Sequence, residues 1–341
     1  MSKYFVVLSG DNIKLARAEV ESLVETEASN ARISWHRRIG IIDCPKSPVL
    51  SLLNRAALVR ETGTVLQEFS DIDSTANQIA YDSMPELIKS GESFSVELRM
   101  IDDLLSYEQR QELVRKIGKR IRTLSRAPVS LANPRVRIII VVSQEGVFFC
   151  EGFLSQQRGI LAQRTPSTKS FFHPSMMNSL LARVMCNIAG VKSDSTVLDP
   201  FCGAGGILCE AGLLGARVIG IDLSWKLLRG AKMNLLGLNV RNFVLIQGDS
   251  RFLPVSDFDC IVTDPPYGRT SSTQGAFAVD LVERLAIQLS QFTDSNRLAC
   301  ICGSQEMNLG AIFGQVGLPV LYDIPIRVHS GLSRELLGVK I

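Results

Sequence analysis

Apolar positions along this chain keep two periods, and the changes from one to the other mark out its elements. "YFVVL" from Tyr4 is a short apolar run with the length of a strand, whereas in "DNIKLARAEVESLVE" Ile13, Ala16, Val20 and Leu23 fall on one helical stripe behind a cap at Asp11 or Asn12. Short strands are predicted around "RISW" and "GIID", a helix over "VLSLLNRAALV" and a strand over "TVLQEF". The order βαββαβ predicts a small ferredoxin-like unit over residues 1–70.

A second block spans 71–152. "SFSVELRM" alternates, with Phe94, Val96, Leu98 and Met100 on the inward face, and "RVRIIIVVSQEGVFFCEG" reads as a hairpin turning at Gln144 to Gly146. Between them lies the helix "YEQRQELVRKIGKRIRTLSR". Leu113, Ile117, Ile121 and Leu124 make its core stripe. Arg110, Arg115, Lys116, Lys119, Arg120, Arg122 and Arg126 cover the remainder with Glu112 opposing them, and Arg135 and Arg137 add to the charge. Such a face is either solvated or a track for RNA phosphates, and the helix by itself does not separate the two.

The polar stretch "QQRGILAQRTPSTKS" marks 153–172 as a linker, and 173–341 carries the chemistry. "DSTVLDPFCGAGGILCEAGLLGARVIGIDLSWKLLRGAKMNLLGL" alternates strand, Gly-rich turn, helix, strand and helix, the opening of a doubly wound sheet whose ligand crevice lies at the carboxyl ends of the strands. Gly203, Gly205 and Gly206 let the backbone approach a ligand ahead of a helix starting near Ile207. Asp222 closes the strand "RVIGID", where a carboxylate can accept from ribose hydroxyls; Asp249 closes "FVLIQGDS". Two acids at the ends of apolar strands on one edge argue for a shared crevice. The later strands are "DCIVT" and "NRLACICG", with an antiparallel pair in "IPIRVHSGLSRELLGVKI". The turn reads GxGG rather than the GxGxxG spacing that accommodates a pyrophosphate, yet a nicotinamide dehydrogenase remains compatible with it.

Composition narrows the class. The chain has 341 residues, 46% of them apolar, enough for two or three packed domains. A net charge of +3 is too small to argue nucleic-acid binding, so that argument rests on the basic helix. The apolar runs are too short for a membrane span and Met1 to Leu8 lacks signal-peptide form, so a cytoplasmic protein is expected. Eight cysteines without paired CxxC spacing and three histidines argue against structural zinc and for buried thiols in a reducing compartment.

One stretch is left to explain, "TDPPYG" at Thr263 to Gly268. Two prolines neither extend a strand nor enter a helix interior, so Asp264 and Tyr267 must project from a stiff corner.

"DPFCGAGGILCEA", "GIDLSWKLLRGAKMNL", "GDS" and "DPPYGRTS" resemble successive motifs of the class I amino-methyltransferases that methylate the exocyclic amine of guanine in transfer RNA. "FFHPSMMNSLLARVMCNIAG" precedes the first strand as in those enzymes, and the basic block upstream resembles a THUMP RNA-binding domain. Over nearly the whole chain the likeness is to the archaeal-type tRNA guanine-10 N2-methyltransferases. "STKSFFHP" departs slightly from the basic, proline-containing family form. The Asp-Pro-Pro-Tyr motif is shared with DNA adenine and ribosomal RNA enzymes, and the upstream blocks narrow it to RNA.

The resemblance implies a Rossmann-like α/β sheet, mostly parallel with an antiparallel C-terminal hairpin, behind ferredoxin-like and THUMP α+β domains. It implies S-adenosylmethionine as cofactor and tRNA as partner, with no metal and no membrane. Asp222 would hold the cofactor ribose, Asp249 the adenine amine, and Asp199 with Gly203 and Gly205 the methionine end. The side chain of Asp199 has a second reading, as a cap on the neighbouring helix. Asp264 and the Pro265 carbonyl would each accept one N–H of the guanine amine, turning its lone pair toward the methyl. Pro266 and Tyr267 would meet the extruded base, the latter by stacking, and Lys116, Lys119 and Arg120 the RNA phosphates. A non-catalytic RNA-binding protein would not need the Asp-Pro-Pro-Tyr corner. The choice of guanosine, one methyl or two, an activating small subunit and the oligomeric state stay open.

Overall fold

The computed structural model describes residues 2–28, 30–72, 87–89, 91–144, 146–267, 275–292, 297–329 and 332–341. Glu145 of the expected hairpin turn and Gly268 to Ser271 of "DPPYGRTS" lie outside the described residues. The chain forms two units, one of residues 1–13, 27–54 and 59–156, the other of 14–26, 55–58 and 157–341. Among the described residues no helix is long and apolar enough to cross a membrane.

In the first unit β1 (Ser2–Leu8), β2 (Arg32–His36), β3 (Ile39–Cys44), β4 (Val59–Phe69), β5 (Phe94–Met100), β6 (Val136–Ser143) and β7 (Gly146–Leu154) form one sheet in the order β2-β3-β1-β4-β7-β6-β5. All its pairs are antiparallel except β5 with β6. The first four strands keep the order of a ferredoxin-like unit. The edge that β4 would leave bare is paired by β7, so strands of blocks 1–70 and 71–152 are neighbours in one sheet. Helix α1 (Ile13–Glu27) follows β1 and α2 (Val49–Arg55) precedes β4, completing the expected βαββαβ order.

Helix α3 (Tyr107–Ser125) opens on a capping box between Ser106 and Gln109 and ends on Arg126 in a left-handed conformation. Its buried residues Leu113, Ile117 and Ile121 pack with Phe94, Val96, Ile138 and Ile140, and Leu124, Leu98 and Met100 flank that cluster half-buried. The periodicity therefore placed the inward stripe correctly. The basic face is less uniform than its composition suggests. Lys116 and Lys119 are exposed and Arg120 half-buried, with Lys116 paired to Glu112 at 3.0 Å. Arg137 does not join that face. It meets Glu61 at 2.7 Å and Glu97 at 2.6 Å, while Arg99 meets the same two acids at 2.8 Å each. Glu61 is 2% exposed, and a carboxylate at that depth needs paired cations, which takes Arg137 out of any phosphate track.

The second unit carries α4 (Gln157–Gln163), α5 (Ser179–Ile188), β8 (Thr196–Asp199), α6 (Gly206–Leu213), β9 (Arg217–Asp222), α7 (Trp225–Gly237), β10 (Phe243–Gln247), β11 (Cys260–Thr263), α8 (Gly275–Leu289), β12 (Leu298–Ser304), α9 (Leu309–Gln315), β13 (Val320–His329) and β14 (Leu332–Lys340). Its sheet runs β10-β9-β8-β11-β12-β14-β13. Strands β8 to β12 are parallel, and β14 is antiparallel to both β12 and β13. The chain winds outward from β8 in one direction and resumes at β11 in the other. That switch point between β8 and β11 opens a crevice at the carboxyl ends of the strands.

Two buried acids fasten this unit. Glu210, fully buried in α6, accepts from Arg164 and Arg183 at 2.9 Å each. Glu19 of α1 accepts from the backbone N–H groups of Ala57 and Leu58 and from Asn187 Nδ2, all at 2.8 Å. These bonds explain why α1 groups with 55–58 and α5 rather than with its neighbours in sequence.

Candidate active site

The Gly-rich turn between β8 and α6 is left-handed at Gly203 (φ 52°) and Gly205 (φ 80°), where a β-carbon would be strained. At Gly203 a β-carbon would meet no atom within 4 Å, so this backbone faces open space; at Gly205 it would press on Ala231 of α7. One glycine admits a ligand and the other admits a helix. Asp222 locks the turn, its Oδ2 accepting from Gly203 N–H at 2.9 Å and its Oδ1 from Ser224 N–H at 2.8 Å. Burial raises the Asp222 carboxyl, and those backbone bonds draw it partly back.

A segment not included among the expected site residues covers this turn. Asn234, buried in α7, accepts from Phe171 N–H at 2.7 Å, and its Nδ2 donates to Phe171 O at 2.9 Å and Ala204 O at 3.0 Å. One side chain thus pins the "SFFHP" stretch to the glycine turn. His173, two residues on, has its Nδ1 within 2.7 Å of Ser175 Oγ.

Asp199 is buried, and its Oδ1 accepts from Thr263 Oγ1 at 2.7 Å and Phe201 N–H at 3.1 Å, tying the end of β8 to the end of β11. Burial pushes its carboxyl up to about 7 against those two bonds, and the nearby Asp264 and Asp222 add to the rise. Asp249 lies beyond its strand rather than in it, since β10 ends at Gln247. Arg251 grips it, with Nε at 3.1 and 2.9 Å from the two oxygens and Nη2 at 2.5 Å, and holds the carboxyl below its usual range. An adenine amine would share this carboxylate with Arg251.

Asp264, Pro265, Pro266 and Tyr267 form the irregular corner directly after β11. Asp264 is 13% exposed and faces inward. Tyr267 Oη donates to its Oδ1 and lies 3.8 Å from Cys302 Sγ in β12. Arg334 of β14 places Nη1 4.0 Å from Asp264 Oδ2 and its guanidinium over the Tyr267 ring, 5.3 Å from the centroid. Burial pushes the Asp264 carboxyl up to about 7, with Arg334 and a hydrogen bond to Cys302 opposing the rise. Tyr267 is half-buried and packs at the margin of the unit's apolar core.

The second unit therefore brings together Asp199, Gly203, Gly205, Asp222, Asp249 and the 264–267 corner, while Lys116, Lys119 and Arg120 belong to the other unit. Sequence reasoning missed Arg334, Cys302 and Asn234. Only Asn234 left a trace, a polar side chain on the buried stripe of an amphipathic helix. All eight cysteines are free and buried, as expected of thiols that pack instead of pairing.

A doubly wound sheet with an antiparallel closing strand, a GxGG turn locked by an acid and an Asp-Pro-Pro-Tyr corner at the switch point defines a class I methyltransferase. Residues 166–322 match the family described as "RMKL-like, methyltransferase domain". The tRNA (guanine(10)-N2)-dimethyltransferase of Methanothermobacter thermautotrophicus is 30% identical over 335 residues, covering 97% of each chain. Its namesake in Methanocaldococcus jannaschii is 26% identical over 356 residues, again covering 97% of each. The crystal structure of TrmN from Thermus thermophilus shares the fold with a TM-score of 0.54 at 18% identity over 99% of each chain. The chain belongs to the archaeal-type tRNA (guanine(10)-N2)-dimethyltransferase family. That membership sets aside the oxidoreductase reading.

Proposed function

We propose that this protein is an enzyme that transfers methyl groups from S-adenosylmethionine to the exocyclic N2 amine of guanosine 10 in tRNA. The observation that carries the reading is the buried carboxylate of Asp264 on a proline-stiffened corner, beside the switch-point crevice where Asp222 locks the glycine turn. The cofactor is a sulfonium that supplies an electrophilic methyl. The residues present suit it: Gly203 leaves open space at the turn, and each Asp222 oxygen keeps a lone pair for a ribose hydroxyl after accepting one backbone N–H. Asp199, Gly205 and Asp249 complete the set we assign to the cofactor.

The chain's own residues do the orienting. A guanine amine is a poor nucleophile because its lone pair is delocalised into the ring. Asp264 and the Pro265 carbonyl each accept one of its N–H groups, and with both protons held the lone pair can point only along the attack line, a positioning effect worth several kcal/mol, of order 10²-fold or more in rate. Pro265 fixes the direction of that carbonyl, and Pro266 and Tyr267 meet the face of the extruded base. Ionised Asp264 accepts more strongly than a neutral carboxyl, and as positive charge develops on nitrogen its carboxylate stabilises it. We assign RNA phosphate contacts to Lys116, Lys119 and Arg120 in the THUMP-like part of the first unit.

The experiment is transfer of labelled methyl from S-adenosylmethionine to a tRNA transcript, with the product mapped by nuclease digestion and mass spectrometry. Label should appear as N2-methylated guanosine at position 10 and vanish when that guanosine is replaced. Label retained after replacement would refute the assigned position, and no label in any tRNA would refute the activity.

A further inference from the structure

We propose that Arg334 is the positioning residue of the methyl-transfer corner: its guanidinium backs one face of the Tyr267 ring and balances the charge of Asp264, leaving the other ring face and the carboxylate oxygens to the target base. This rests on the methyl-transfer reading above.

The distances separate this role from that of a structural ion pair. Elsewhere in the chain, inward-facing arginines meet their acids closely, Arg183 with Glu210 at 2.9 Å and Arg137 with Glu97 at 2.6 Å. Arg334 is 18% exposed, yet its nearest carboxylate oxygen is 4.0 Å away, beyond a hydrogen bond. Its Nη1 lies 3.5 Å from the weak acceptor Met177 Sδ, its side chain also meets the Cys302 thiol, and its buried Nε has no hydrogen-bond partner. A half-buried cation whose hydrogen-bond partners are weak sulfur acceptors, with its nearest carboxylate oxygen out of reach, is costly, and such cost is retained where the group serves a site. The gap also has a chemical use. At 2.8 Å the guanidinium would occupy the lone pairs that must accept the substrate amine, whereas at 4.0 Å it supplies charge and leaves them free.

The Tyr267 ring carries the same logic. A guanidinium 5.3 Å from the centroid is within cation–π range and covers one face, so an entering base stacks on the opposite one. Asp264 is faced by Tyr267 from its own loop, by Cys302 from β12 and by Arg334 from β14, and it feels Asp199 at the end of β8. Arg334 is the cation among them, and it opposes the burial that raises the Asp264 carboxyl.

The test uses the full chain with Arg334→Met and Arg334→Lys. Single-turnover methyl transfer to tRNA is followed against pH, and the carboxyl resonances of isotope-labelled aspartate are titrated without cofactor, with Asp264 assigned by loss of its signal in Asp264→Asn. Arg334→Met should move the acid limb and the Asp264 titration upward by about one pH unit, a roughly fivefold loss at pH 7 that approaches tenfold in acid and recovers in alkali. Arg334→Lys should restore the limb, because it keeps the charge, while tRNA engagement stays weaker for want of the planar stack. Adding Arg334→Met to Asp264→Asn should produce no further shift. Unmoved profiles and resonances in Arg334→Met would overturn the inference. A native enzyme that transfers no methyl to tRNA would instead overturn the functional reading, and the cofactor-free titration would still decide whether Arg334 governs Asp264.

Discussion

The hydroxyl of Tyr267 donates to Oδ1 of Asp264, three residues earlier on the same proline-stiffened corner. The acceptor expected to receive the guanine amine thus already takes a proton from the residue expected to stack on the base. The second lone pair of that oxygen and those of Oδ2 are left for the amine, so the ring the base meets is tied to the carboxylate that orients it.

Replacement at the corner should separate these roles. Asp264→Ala should lower single-turnover methyl transfer by at least about a hundredfold, roughly 3 kcal/mol, with little change in cofactor or tRNA binding. Asp264→Asn keeps an acceptor and should be slow rather than inactive. Tyr267→Phe keeps the stacking face and frees Oδ1, so it should retain most of the rate, whereas Tyr267→Ala should weaken base engagement as well. A native rate in Asp264→Ala would make the corner merely structural.

Activity and stability should respond to pH in opposite directions. Asp264 and Asp199 are both raised by burial from an ordinary 3.8 to about 7, so between those values the native state holds protons that the unfolded chain has released. Their contribution to stability is complete at the acid end of that window and is lost as pH rises through about 7. Glu19, raised by burial, acts with the same sign. Methyl transfer is faster with ionised Asp264 and should rise over the same interval. Urea denaturation and single-turnover rates at matched pH values check both slopes.

Replacing Asp222 should cost stability as well as cofactor affinity. Its two oxygens hold Gly203 and Ser224, so Asp222→Ala releases the turn as well as the ribose. Calorimetry should show S-adenosylmethionine affinity falling by about tenfold or more, with a loss of stability of about 1–3 kcal/mol from the unpaired donors. Unchanged affinity would remove Asp222 from the cofactor site.

Replacing Lys116, Lys119 and Arg120 together by Ala should weaken tRNA binding without touching cofactor affinity. If each meets a phosphate, the slope of log affinity against log salt should flatten by about two to three units. A slope equal to that of the native protein would assign the basic face to solvent.

Local chemistry was enough for much of this molecule. The period of two in β5, the helical stripe of Leu113, Ile117 and Ile121, and the Gly-rich turn were readable because side-chain direction and backbone freedom depend on near neighbours. The Asp-Pro-Pro-Tyr corner was readable for the same reason, as two prolines dictate their own geometry wherever they stand. Other features were settled by partners distant in the chain. β4 pairs with β7 and joins two sequence blocks in one sheet, Arg137 is drawn to Glu61 and Glu97, and α1 is bound through Glu19 to α5. Arg334 is the clearest case. Nothing around "SRELLG" marks it, and it reaches Asp264 because β14 enters the sheet antiparallel beside β12, placing the strand's first residues at the edge where β11 delivers its carboxylate. Spacing along a chain carries no information about which strand will lie beside which. That pairing is decided by the burial of whole apolar faces, and it is what assembles the site.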